Sequence, residues 1–118
     1  MLNDLSFRAM ESSLKGLKLQ QDAILHNIAN IETPGYKTKN VSFENILEQA
    51  RQGNAGRYDF KAIVEEDLYT EARPDGNNVD IDQENIELVG SYFQTLALYQ
   101  KIGGRVSDFR YVIGQAFK

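Results

Sequence analysis

The stretch Asn27-Ile28-Ala29-Asn30-Ile31-Glu32-Thr33-Pro34-Gly35-Tyr36-Lys37 ends one amphipathic run and forces the chain to turn. Pro34 disfavours helical backbone at Thr33. Pro34 and Gly35 suit the two central positions of a type II turn, where the second needs a positive φ. Asn27 and Asn30 fall in the last turn of the run. Their amides can satisfy orphan carbonyls there or reach a neighbouring chain. A second punctuation, Asp75-Gly76-Asn77-Asn78-Val79-Asp80, opens another long amphipathic run that reaches the last residues. Two terminal helices around a short middle describe a subunit that bundles with others, and not a chain folded around a cleft.

Before the turn, the periodicity predicts a helix over residues 4–31, about 42 Å long. Asn3 is its expected N-cap, with Leu2 and Phe7 as a hydrophobic staple. The apolar face reads Phe7, Met10, Leu14, Leu17, Gln21, Ile24, Ile28 and Ile31. Steps alternate three and four, a heptad pattern with one polar interruption at Gln21. The second helix is expected to cap at Asp82, with Ile81 and Ile86 in staple positions. Its apolar face reads Ile86, Val89, Phe93, Leu96, Tyr99, Ile102, Val106, Phe109, Ile113 and Phe117. Between Leu96 and Ile102 steps of three run together, so the stripe slips in phase. Gly16 in the first helix, and Gly90, Gly103, Gly104 and Gly114 in the second, each cost about 1 kcal/mol against alanine. Four in one helix point to close neighbours or a bend.

Between the helices, residues 42–51 read as a short amphipathic helix capped by Ser42, with Phe43, Ile46, Leu47 and Ala50 apolar and Gly53 as its stop. Residues 57–64 alternate as a strand, with residues 68–73 as a weaker partner. The expected fold is therefore mainly α: an elongated coiled-coil hairpin of N- and C-terminal helices, with a small helix and a weak β-hairpin in a short middle region. It forms one domain over residues 1–118, divided into 1–36 (helix and Pro-Gly elbow), 37–81 (middle) and 82–118 (second helix).

Composition narrows the function classes. The 118 residues carry a formal charge of −4, with most of the acidic excess between residues 37 and 80. That balance gives no general attraction to nucleic acid or anionic lipid. With no cysteine, disulfides and thiol chemistry are excluded. The first residues lack a basic leader followed by an apolar block, so no cleaved signal peptide is expected. No apolar run approaches the ~20 residues that cross a bilayer.

The chemistry-bearing residues form no catalytic set. His26, the single histidine, has no cysteine partner, and a solvated or interface role is expected for it. Ser12-Ser13 has no base within a helical turn. Glu65-Glu66-Asp67 lacks the spacing and glycine of a calcium loop, and Gly35, Gly53 and Gly56 form no phosphate cradle. No catalytic, cofactor or metal site is expected. The aromatic residues suit core or interface alike. Tyr36, just outside the helix stop, is a candidate interface anchor.

The pattern Asn-Ile-Ala-Asn-x-x-Thr-Pro-Gly-Tyr-Lys at residues 27–37 resembles the shared N-terminal motif of flagellar rod and hook proteins. The chain is short, Val41-Ser42-Phe43-Glu44 follows closely, and Arg73-Pro74-Asp75-Gly76-Asn77-Asn78-Val79-Asp80-Ile81-Asp82 precedes the last helix. Together these resemble the proximal members of the flagellar basal body rod protein family. The likeness covers the layout of the whole chain and about a third of it in recognisable motif, with little signal over residues 45–72.

The resemblance implies a structural role in the torque-transmitting drive shaft, within the periplasmic rod. It implies export through the flagellar type III apparatus without signal cleavage. The implied partners are copies of the chain, rod proteins of the FlgC, FlgF and FlgG types, the rod adaptor FliE and, through it, the membrane ring protein FliF, with no direct membrane insertion. Phe7, Met10, Leu14, Leu17, Ile24, Ile28, Ile31, Tyr36, Val89, Phe93, Leu96, Val106, Phe109 and Ile113 would then line subunit seams. Asn27, Asn30, Thr33, Pro34, Gly35, Asp75, Gly76, Asn77 and Asp82 would set the turns. Two other readings share the heptads: a different small rod protein of the FlgC type, and a cytosolic helical-hairpin adaptor or export chaperone. The last has no need of a Thr-Pro-Gly-Tyr elbow.

Overall fold

A computed structural model describes residues 5–45 and 60–117. Helix α1 spans Leu5–Ala29, strand β1 Lys39–Asn45, strand β2 Phe60–Glu66 and helix α2 Ile81–Ala116. The molecule is a flat rod, 69 × 34 × 14 Å. This is the expected mainly helical, elongated hairpin with a small antiparallel sheet in its middle.

Helix α1 turns its heptad face inward. Leu17, Ala23 and Ile24 are buried, and Phe7, Met10, Leu14, Gln21, Ile28 and Ile31 are half-buried along the same side. The helix tightens as it ends. Asn30 N donates to the His26 and Asn27 carbonyls, and Ile31 N to Ile28 O, the i→i+3 pattern that satisfies a last turn. The proposed cap at Asn3 lies outside the described residues.

Strand β1 begins two residues after the elbow and pairs antiparallel with β2, Val41 opposite Val64 and Phe43 opposite Ala62. This corrects two expectations. Residues 42–45 are strand and not the start of a helix, because pairing with β2 satisfies their backbone while Val41 and Phe43 alternate toward one face. The remainder of that expected helix lies outside the described residues. Strand β2 pairs backwards with β1 and not forwards with residues 68–73. That later segment cannot offer a ladder, since Asp67 Oδ1 already accepts from the backbone N–H groups of Tyr69 and Thr70.

Gly16 explains how the sheet sits on α1. A Cβ at this position would lie 2.2 Å from Phe43 Cε1, so the Phe43 ring occupies the space a side chain would fill. Gly16→Ala is expected to destabilise the chain by about 1 kcal/mol by dislodging the ring. In a Phe43→Ala background the same change should stabilise by about 1 kcal/mol, from helix propensity alone. Urea midpoints of the four proteins test this reversal of sign.

Helix α2 caps at Asp80, two residues before the expected Asp82. Asp80 has extended backbone, and its Oδ1 accepts from Asp82 N at 3.0 Å and Gln83 N at 3.3 Å. Val79, just before it, is buried, which fixes the entry of the chain. Asp82 becomes a first-turn acid, favourable with the helix dipole. Ile81 and Ile86 are both exposed and form no staple.

The helices run antiparallel, with Asn27 bonded to Glu84 and Gln21 Nε2 donating to Thr95 Oγ1 at 3.0 Å. The face of α2 toward α1 is small and polar in its first half. Glu84 and Ser91 are buried there and Thr95 is half-buried. Ser91 donates to Leu88 O and Thr95 to Ser91 O, which satisfies both hydroxyls within the helix. The expected apolar stripe lies elsewhere. Ile86, Val89, Phe93 and Leu96 are 67%, 54%, 68% and 55% exposed, and the 3.6-residue period puts them opposite the Glu84–Ser91–Thr95 face. Beyond the phase slip, Ile102, Val106 and Phe109 come round to the inner side and are half-buried. The slip is therefore where the stripe crosses from the outer face to the inner one.

Candidate functional site

The elbow residues converge into one buried polar network where α1 ends, β1 begins and α2 begins. Asn27 is fully buried. Its Nδ2 donates to Lys39 O at 2.8 Å and to Glu84 Oε2 at 3.1 Å. Its Oδ1 accepts from Lys39 N and from Tyr36 Oη, each at 2.9 Å. One amide thus ties both ends of the elbow to the first turn of α2. His26 Nδ1 lies 2.9 Å from the Tyr36 oxygen and 3.3 Å from Asn30 Nδ2.

Asn77, also fully buried, caps the first helix from outside it. Its Nδ2 lies within 3.0 Å of the carbonyls of Asn30, Ile31 and Thr33, while its Oδ1 accepts from Val79 N at 2.8 Å. Arg73 reaches the same Ile31 carbonyl. Asn78 joins the third segment: its Oδ1 accepts from Thr38 N at 2.7 Å and its Nδ2 donates to Asp67 O at 2.7 Å. Burial of these amides is tolerable because each is paired on both sides.

Two glycine turns pack against each other here. Gly35 has φ +73° and Gly76 φ +87°. Tyr36 N donates to Thr33 O across Pro34-Gly35, as a type II turn requires. Gly35 N donates to Asp75 O at 2.8 Å, and a Cβ on Gly76 would lie 3.2 Å from the Gly35 Cα. Asn27, Asn30, Thr33, Pro34, Gly35, Asp75, Gly76 and Asn77 therefore meet in one place. Asp82 does not join them, because Asp80 takes the cap. Tyr36, half-buried, has its hydroxyl committed within this chain. Asn78, Thr38 and Glu84 belong to the network too, although the sequence reading gave none of them a place in it. The tandem Asn77-Asn78 was the available signal.

The network perturbs its acids. Burial pushes the Glu84 carboxyl above the ordinary glutamate value, with Glu87 and Asp80 adding repulsion and the Asn27 amide opposing. Burial likewise raises the Tyr36 phenol, helped by the charges of Glu84 and Glu66. Asp67 moves the other way, held down first by the Thr70 hydroxyl and then by the backbone N–H groups of Thr70 and Tyr69. A carboxyl whose folded pKa exceeds its unfolded one weakens the fold wherever it is ionised. The penalty is complete above the raised value and gone below the unfolded value of ~4.3. Glu84→Gln keeps the acceptor for Asn27 without the charge. It is expected to be more stable than the parent at neutral pH and above, with the gap closing as pH falls toward ~4. Denaturant titrations of both proteins across that range check the slope.

No group of acids and histidines among the described residues could hold a metal ion. No described helix is long and apolar enough to cross a membrane. The network joins the end of α1 and the start of β1 to the first turn of α2. It fixes the angle between α1 and α2, and so fixes which face of α2 is left uncovered.

No protein-family model matches the chain. Individual relatives do. The flagellar basal body rod protein FlgB of Bacillus subtilis is 32% identical over 115 residues, covering 88% of this chain and 89% of that protein. FlgB of Borreliella burgdorferi is 36% identical over 94 residues, covering 62% and 69%. FlgB of Buchnera aphidicola is 24% identical over 123 residues, covering 91% and 92%. An elbowed two-helix hairpin, matched at 32% identity over 88% of its length by the Bacillus subtilis protein, places the chain in the FlgB family of flagellar basal body rod proteins.

Proposed function

We propose that this chain is a structural subunit of the flagellar rod, exported without a cleaved signal and built into the drive shaft through both of its long helices. The observation that carries this is the outward stripe of Ile86, Val89, Phe93 and Leu96, more than half exposed on the side of α2 away from α1. An isolated soluble chain gains nothing from such a contiguous apolar face, and its usual meaning is a covering partner. The glycines point the same way. A Cβ at Gly90, Gly103, Gly104 or Gly114 would meet nothing within 4 Å. Close packing inside this chain therefore does not account for their cost in helix stability.

The seam residues of α1, with Val89, Phe93, Leu96, Val106, Phe109 and Ile113 of α2, would then be shared between subunits. The elbow would hold them at a fixed angle. Stiffness follows, because torque is carried by many helices packed along common apolar strips. Partners in this reading are other copies, rod proteins of the FlgC, FlgF and FlgG types, the adaptor FliE and, through it, the FliF ring. The whole chain acts as one axial domain in the periplasmic rod.

Deleting its coding sequence is expected to leave cells without flagella, with motility restored by the gene in trans. An epitope-tagged chain should co-purify with basal bodies through washes that remove soluble protein. A motile deletion strain, or a tagged chain found only in the cytosol, would contradict the assignment.

A further inference from the structure

A second apolar feature stands apart from the helix stripe. The turn after β2 holds Leu68 and Tyr69 clear of the body, Tyr69 at 96% exposure and Leu68 at 64%. This protrusion is braced and not loose. Asp67 N donates to Thr38 O at 2.8 Å, Asp67 O accepts from Asn78, and the Asp67 carboxylate bonds the backbone of Tyr69 and Thr70 and the Thr70 hydroxyl. The turn is thus tied to the elbow network through Thr38 and Asn78. Around the apolar pair stand Glu65, Glu66 and Glu71, all exposed. The result is an apolar knob with an acidic collar, fixed to the elbow network.

On the body lies a groove of about 320 Å³ between α1 and α2, lined by Leu14, Lys15, Lys18, Gln21, Thr95 and Tyr99. Among the described residues, the two lysines are its only charged lining. They make i,i+4 pairs with Glu11 and Asp22, but their side chains are 77% and 78% exposed, and such surface pairs exchange readily. Leu14 and Tyr99 supply apolar walls. A volume of this size is at the lower end of pockets that accept a small ligand. Groove and knob cannot meet within one chain. From Ile31 at the elbow to Lys18 is about 20 Å along the helix.

We propose that the Leu68–Tyr69 knob of one copy seats in the Lys15–Lys18 groove of the next copy, joining subunits head to tail. The inference rests on the reading of the chain as a rod subunit and names one contact within it. Two different surfaces of one chain, apolar in the centre and opposite in charge at the rim, form a heterologous interface, which propagates and does not close into a pair. Charge complementarity selects the partner: an acidic collar meets a basic rim, and the same chain carries both.

The absence of cysteine makes the test direct. Ala72→Cys and Glu11→Cys set thiols beside the knob and beside the groove, and leave Leu68, Tyr69, Lys15 and Lys18 in place. In basal bodies isolated from cells making the double variant, a short bismaleimide is expected to give a ladder of dimer, trimer and higher products of this chain. Each single variant should give no ladder. Adding Glu66→Lys and Glu71→Lys to the double variant should abolish the ladder, and Lys15→Glu on top of these should restore it in part. A double variant present in basal bodies but uncrosslinked would overturn the contact and leave the rod assignment standing. So would crosslinking of position 72 only to a different protein. Absence of the unmodified chain from basal bodies would overturn both.

Discussion

Asn27→Ala is expected to destabilise the chain by about 4 kcal/mol, a large part of the 5–15 kcal/mol typical of a small domain. The alanine leaves Lys39 O and Lys39 N without their partner, removes the acceptor for Tyr36 Oη and strips the buried Glu84 carboxylate of the Asn27 amide. An abandoned buried charge is the most expensive of these losses. The penalty should therefore shrink when Glu84 is already glutamine, because an uncharged amide is cheaper to leave unpaired. Asn27→Asp should be worse than alanine at neutral pH, since it sets two carboxylates side by side, and should recover on acidification. Urea unfolding of the single and double variants gives the coupling directly.

That network marks the limit of what the sequence told. The two long helices and the stop at Pro34-Gly35 were legible, because periodicity and backbone chemistry act locally and leave their mark residue by residue. The roles of Asn27 and Asn77 were only half legible. An asparagine in a last turn announces a hydrogen bond but not its partner, and here the partners of Asn27 lie 9 to 57 residues away in sequence, and the carbonyls that Asn77 holds 44 to 47 away. The strand at Lys39–Asn45 was misread for the same reason. Phe43 suits a helical face as well as a strand, and only pairing with a segment far along the chain decides between them. The cap moved from Asp82 to Asp80 because three acids, Asp80, Asp82 and Glu84, open this helix, and the burial of Val79 chooses among them. The apolar stripe of α2 is visible in the sequence as a period. Which way it faces depends on the angle set at the elbow, and no local pattern encodes that angle.

Phe93→Asp should leave the free chain almost unchanged and abolish rod assembly. The ring is 68% exposed in the isolated chain, so the substitution should shift its stability by no more than about 0.5 kcal/mol. In the assembled rod the same position would hold an unpaired carboxylate inside an apolar seam, at a cost of several kcal/mol in every subunit. Leu96→Asp, one turn along the stripe, should behave alike, and Phe93→Leu should retain assembly. The paired measurements are the denaturant midpoint of the purified protein and the swimming of cells that carry the variant as their only copy. A Phe93→Asp strain that swims normally would remove the stripe from the assembly interface. A variant that is itself unfolded would show that the residue serves the fold of the single chain.

The central claim is that the elbow aims the outer face of α2 at neighbouring subunits. It is tested most directly by a density map of an intact basal body in which this chain is traced. The account predicts Ile86, Val89, Phe93 and Leu96 buried against helices of adjacent subunits, with Asn27 still bridging the elbow to Glu84. A map in which that stripe faces water, or in which α1 of the same chain covers it, would contradict the account.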